Sequence, residues 1–127
     1  MKKITVNSKK EKQVINITSD IEKVLPSDSG VCTIFLSHTT ASITTADLDP
    51  GTDLDMLDAF NELVPELKFR HPHDPSHVED HILSSLIGTS LIVPYQNSSL
   101  ILGTWQNVVL IEFNGPRKRT LVLNILK

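Results

Sequence analysis

The sequence predicts an α+β fold, on three observations. Short apolar runs rich in Val, Ile, Phe and Thr recur along the chain as strands. Two stretches with helical spacing interrupt them, and strand and helix do not alternate as a doubly wound parallel sheet requires. No internal repeat, low-complexity tract or Gly/Ser linker divides the 127 residues, so 1–127 reads as one domain with a single core.

Taken in order, "QVINIT" alternates apolar and polar residues and suits a half-buried strand. Ser19 is placed to cap a short helix, "DIEKVL", which Pro26 would stop. "GVCTIFLSHTTASITTAD" reads as two extended segments meeting near Ser37 and His38. After the turn cluster "DLDPGTD", apolar Leu54, Leu57, Phe60, Leu63 and Val64 keep a helical period, with Thr52 or Asp53 as N-cap and Pro65 at the end. A second helix carries the stripe Val78, Ile82, Leu83 and Leu86. Its start is either the capping box of Ser76 and Glu79 or Asp74 followed by Pro75, and Gly88 stops it. "SLIVPY" and "LILGTW" flank the polar turn "QNSS"; "QNVVLIEF" and "RTLVLNIL" are joined across "NGPRK", whose Asn-Gly pair is a strong turn signal.

Composition narrows the function classes. A hydrophobic share of 39% with 21% charged residues is that of a water-soluble globular chain. With a formal charge of -3 and a pI near 5.9, no wide basic face is implied, so nucleic acid is not an expected partner. No segment reaches the ~18 apolar residues that span a bilayer, and no signal-peptide block opens the chain, so no membrane association and a cytoplasmic location are expected. The single cysteine, Cys32, excludes an internal disulfide and a cysteine-rich metal knuckle; in "VCTIFL" it reads as a buried, inert thiol.

Chemistry concentrates in "FRHPHDPSHVEDHIL", which holds His71, His73, His77 and His81, four of the five histidines. His77 and His81 share one helical face. Pro72 and Pro75 keep His71 and His73 out of regular helix, and an extended "HPH" would point both rings the same way. With Asp74, Glu79 and Asp80 nearby, these imidazoles could bind zinc or another divalent ion, or transfer protons near neutral pH. The bland alternative is a group of surface histidines at a helix start, since no zinc-enzyme signature such as H-E-x-x-H is present. His38, where an apolar strand runs into the polar "SHTTAS", is a candidate for the mouth of a site. Ser37 beside it is no triad partner, because neighbouring strand residues face opposite sides.

Two further stretches bear on a site. In "LGTWQ" the only tryptophan, Trp105, is either core or pocket wall, and Gln106 can both donate and accept. "EFNGPRKR" sets Glu112 near Arg117, Lys118 and Arg119; guanidinium suits phosphate, but from this segment alone a solvated hairpin tip is the simpler reading. P-loop, G-x-G-x-x-G and G-x-S-x-G elements are absent.

"SHTTASIT", "DHILSSLIGTSLIVP" and "LGTWQNVVLIEFNGPRKR", in this order from Val31 onward, resemble the YjbQ-like family, also called the secondary thiamine-phosphate synthase family. The resemblance implies a β-sandwich of two mixed or antiparallel sheets with a few short helices, assembled as a homotrimer. It implies an active site, often metal-bound, at three histidine positions that fall here on His38, His71 and His81; with the family's "LGTWQ" block intact, Gln106 is read as a further catalytic group. Thr104, Trp105, Arg117 and Arg119 would bind substrate. His73 is the reserve for His71, and His77 stands where many relatives have Asn. Ala46-Asp47 replaces a frequent Asn-Glu pair, with Asp47 or Asp49 as possible substitutes.

The implied activity condenses a hydroxymethylpyrimidine diphosphate with a thiazole phosphate and releases pyrophosphate. A divalent metal ion, zinc or magnesium, would assist, and the partner would be a small phosphorylated metabolite. The alternatives are a metal-dependent hydrolase or lyase on such a metabolite, or a non-catalytic trimer that binds a metal or anion.

Overall fold

The computed structural model describes residues 1–71 and 73–126. Pro72, and with it the geometry expected of the "HPH" segment's centre, lies outside them. The elements in chain order are β1 (Lys2–Asn7), β2 (Gln13–Asn16), α1 (Thr18–Glu22), β3 (Ser29–Leu36), β4 (Ala41–Ala46), α2 (Thr52–Leu63), a 3-10 turn (Pro75–His77), α3 (Val78–Ile87), β5 (Ser90–Gln96), β6 (Ser99–Leu100), β7 (Asn107–Glu112) and β8 (Lys118–Leu126). Among the described residues, strands pair in the orders β1-β8-β3-β5-β6 and β2-β7-β4, all antiparallel. The α+β expectation with two sheets and a few short helices holds.

Period-two patterning puts the core between the sheets. Cys32, Ile34 and Leu36 of β3, Val93 and Tyr95 of β5, and Leu121 and Leu123 of β8 meet Ala41 and Ile43 of β4 and Val108 and Leu110 of β7. The opposite side of β7, Val109 and Ile111, is buried with Leu83 and Phe113 under Met56, Leu57 and Phe60 of α2. The smaller sheet is therefore covered on both faces, which is why "VVLI" reads as an unbroken apolar run. Cys32 is buried and free, and burial pushes its thiol pKa up, as an inert thiol requires. No helix among the described residues is long and apolar enough to cross a membrane.

Several local expectations change. Helix α1 begins at Thr18, so Ser19 lies inside it; the Asn16 side chain accepts from the Thr18 N–H, and the Thr18 hydroxyl accepts from the Val108 N–H. Gly51 stands at the N-cap of α2, and neither Thr52 nor Asp53 caps it. At the second helix the Asp74-Pro75 start is the one formed: the Asp74 carboxylate accepts from the Ser76 N–H at 3.0 Å. Gly88 ends α3 at φ 105°. "LILGTW" is strand only at Leu100 before it becomes a turn. "NGPRK" does turn the chain, but β7 and β8 do not pair; they enter opposite sheets. At Gly115 the backbone passes so close that a Cβ would lie 2.2 Å from the Lys10 carbonyl oxygen, an approach only glycine permits.

Candidate functional site

Three connections converge at one end of the sandwich: the corner between β3 and β4, the start of α3, and the link from β7 to β8. Each is tied to the next by backbone groups. The Ser84 hydroxyl donates to the Ala41 carbonyl at 2.6 Å, and the Ser42 hydroxyl returns a bond to the Ser84 carbonyl, locking α3 onto β4. The Phe113 N–H donates to the Thr40 carbonyl, which joins the corner to the end of β7. The cleft left between them, about 730 Å³, is lined by His38, His71, His77 and His81 together with Asp74, Asn114, Arg117, Lys118 and Arg119. The five predicted residues His38, His71, His81, Arg117 and Arg119 are thus brought together.

The imidazoles are held by backbone partners of unambiguous polarity. His38 Nε2 accepts from the Thr120 N–H at 2.8 Å. His71 Nδ1 accepts from the N–H groups of His73 and Asp74, both at 3.2 Å. His81 Nδ1 faces the Thr39 carbonyl at 3.0 Å and must donate to it. The His71 and His81 rings stack with centroids 5.3 Å apart and planes 9° from parallel. Burial first, then the charge of Arg119, lowers the His38 pKa, and the Thr120 bond agrees with a neutral ring. His77 bridges two carboxylates, Asp74 at 3.0 Å and Asp80 at 3.3 Å, and Lys12 reaches Asp80 at 2.9 Å.

Beneath the cleft lies a buried ion pair. Arg119 donates to both carboxylate oxygens of Glu112 and to the carbonyl and hydroxyl of Thr40. Ser8 Oγ and the Asn114 N–H complete the shell of Glu112. The side chains of Arg119 and Glu112 are 3% and 0% exposed. The solvated hairpin tip read from "EFNGPRKR" is therefore corrected: β8 runs back through the core, and Arg119 spends most of its donors on the protein. Its Nη1 is the guanidinium nitrogen with no bonded partner among the described residues. Arg117, by contrast, is exposed and, among the described residues, ties only Nε, to the Asn114 carbonyl.

A family model described as UPF0047 protein YjbQ-like matches residues 2–127. The chain belongs to this family. UPF0047 protein YugU of Bacillus subtilis is 35% identical over 130 residues, covering 99% of this chain and 98% of that protein. A UPF0047 protein of Archaeoglobus fulgidus is 32% identical over 124 residues, covering 97% and 98%. Among solved structures, the conserved hypothetical protein TT1486 of Thermus thermophilus superposes with a TM-score of 0.91 at 31% identity, covering 99% of this chain and all of that one. A yjbq/upf0047 family protein of Clostridium acetobutylicum gives 0.86 at 30% identity, with 99% and 100% covered.

In this YjbQ-like chain other predicted residues stay apart from the cleft. Thr104, Trp105 and Gln106 occupy the turn that enters β7, whereas the cleft lies at its exit, about 17 Å away along a strand rising ~3.4 Å per residue. Gln106 Oε1 accepts from the Gly103 N–H, and its Nε2 donates to the Thr45 hydroxyl, so it shapes its own loop. Trp105 is 71% exposed and is not core. His73 is exposed and does not line the cleft, although its ring centroid is 6.0 Å from that of His71.

The three-histidine metal site that the resemblance implies does not fit these hydrogen bonds. A neutral imidazole has one ring-nitrogen lone pair. Those of His38 and His71 already accept backbone N–H groups, which leaves, among the described residues, one free, at His81 Nε2. No group of three or more His, Cys, Asp or Glu side chains among the described residues is arranged to hold an ion. Sequence reading overlooked Asn114 and Thr40 and gave Lys118 no separate role. Lys118 was signalled by "GPRKR"; Thr40 was not distinguishable from its Thr neighbours.

Proposed function

We propose that this YjbQ-like chain is a transferase of thiamine-phosphate synthase type, condensing a hydroxymethylpyrimidine diphosphate with a thiazole phosphate. In that reaction the thiazole nitrogen forms a bond to the pyrimidine methylene carbon. The carbon–oxygen bond to the diphosphate breaks, and pyrophosphate leaves with the electron pair. What catalysis must supply is stabilisation of charge on the departing oxygens. The observation that carries the reading is the meeting of ring N–H donors of His38 and His71 with Arg117, Lys118 and Arg119 in one cleft. A divalent ion belongs in this reading with the diphosphate, as magnesium does when substrate phosphates hold it.

Assembly as a homotrimer is part of the same proposal. It is supported by an uncovered apolar strip on the outer face of the larger sheet, where Phe35, Ile92 and Leu126 are exposed. Trp105 and Gln106 could then frame a ring only in the cleft of a neighbouring copy.

The test is pyrophosphate release from the two phosphorylated substrates. Wild type should turn over, and Arg117→Ala should lose at least about tenfold in kcat/KM, the worth of one charged hydrogen bond. Inorganic phosphate as the sole product would replace the transferase with a hydrolase. Tight binding without turnover would leave an anion-binding trimer.

A further inference from the structure

The hydrogen-bond polarity of the cleft goes further than its charge. We infer that the three imidazoles form a seat for a protonated oxyanion, a phosphate group still carrying one hydrogen, with two rings donating and one accepting. The inference deepens the phosphorylated-substrate reading and rests on it only for the identity of the group that carries the anion.

Backbone groups cannot exchange donor for acceptor, so they decide what each ring offers. Because the Thr120 N–H occupies His38 Nε2, that ring carries its hydrogen on Nδ1 and can only donate from there. Because two N–H groups converge on His71 Nδ1, that ring donates from Nε2. The Thr39 carbonyl takes the hydrogen of His81 Nδ1, so in the neutral ring Nε2 presents a lone pair. Turning any ring over would set a carbon against its backbone partner and lose the bond.

The surroundings favour an anion over a cation. Arg117, Lys118 and Arg119 line the same cleft. The carboxylate on the wall, Asp74, is already engaged by the N–H and hydroxyl of Ser76 and by His77. A metal ion would therefore meet one lone pair among positive charges. A phosphate monoester below its second pKa near 6, or inorganic phosphate through neutral pH, keeps one hydrogen to donate to His81 while its other oxygens accept from His38 and His71. Sulfate matches phosphate in shape but carries no hydrogen near neutral pH. Against the neutral ring, one of its oxygens would face the His81 lone pair with nothing between them.

The experiment is calorimetric titration of the full chain with inorganic phosphate and with sulfate at matched ionic strength, near neutral pH. Phosphate should bind at least about tenfold more tightly, and His81→Ala should bring the two within about twofold of each other. Equal affinity of the wild type for both anions overturns the inference. Long-range proton–nitrogen correlation spectra of the metal-free wild type supply a second measurement that needs no variant to fold. They should show hydrogen on Nδ1 of His38, Nε2 of His71 and Nδ1 of His81. The opposite tautomer at His38 or His71, or one zinc ion per chain shifting all three rings together, also overturns it. Failure of the transferase reading looks different: phosphate is preferred and the tautomers are as stated, yet no pyrophosphate is released.

Discussion

Glu112 and Arg119 share a dry position under the cleft, and the balance of forces on them decides how this protein answers to acid. Burial pushes the Glu112 carboxyl pKa up, but hydrogen bonds from Arg119, Ser8 and the Asn114 N–H, with the charge of Arg119, outweigh burial and hold it below the ordinary carboxylate range. Removing one partner strands the other, so Glu112→Ala should cost about 3–5 kcal/mol in urea unfolding. His38 is also held below its ordinary value of 6.5, by burial and then by Arg119. For both groups the folded pKa is depressed. Their stabilisation is therefore complete above the unfolded value and is lost as pH falls through the folded one. Stability should thus decline in two stages on acidification: first below about 6.5, from the imidazole, and again in the carboxylate range. In His38→Gln the first stage should disappear from a series of unfolding curves at stepped pH.

At the scale of elements, the turn after α3 is the most constrained. Gly88 has φ 105° and ψ 166°, a region open essentially to glycine, although a Cβ there would meet nothing within 4 Å. Gly88→Ala should therefore cost about 1–3 kcal/mol through the backbone alone, measured by thermal or chemical unfolding. This stop was legible in the sequence, as were β3 and β5 from their alternation, β4 from its Thr-rich extended run, β7 from its unbroken apolar run, and both long helices from their apolar stripes. β1 was not: its first residues are lysines, and only Ile4 and Val6 point inward. The Asn-Gly signal showed where the chain bends but not which sheet receives the next strand, since that depends on pairing with β1 and β3 far away. The convergence of His38, His71 and His81 on one cleft followed from the family resemblance. Their hydrogen-bond polarity could not be foreseen, because it is set by backbone groups of Thr39, His73, Asp74 and Thr120 that carry no side-chain signature.

For the whole molecule, the contrast between the two sheets matters most. The larger one buries its inner face and leaves Phe35, Ile92 and Leu126 on the other, with Ile92 set opposite Thr33 and Leu126 opposite Val31 in the ladder. If trimers form through this face, Ile92→Asp should yield a folded monomer by sedimentation, with an unchanged far-ultraviolet spectrum. A trimer that survives the substitution places the interface elsewhere. The smaller sheet behaves differently, because β7 is sealed on both sides. A strand of that kind leaves an engineer almost no latitude along its length, where any added charge would have nowhere to go. Freedom to alter specificity is confined to its two tips, the imidazole cleft at one and the tryptophan loop at the other. Within one chain the two tips are separated by a rigid spacer; only between neighbouring copies of the proposed trimer would a change at one be felt at the other.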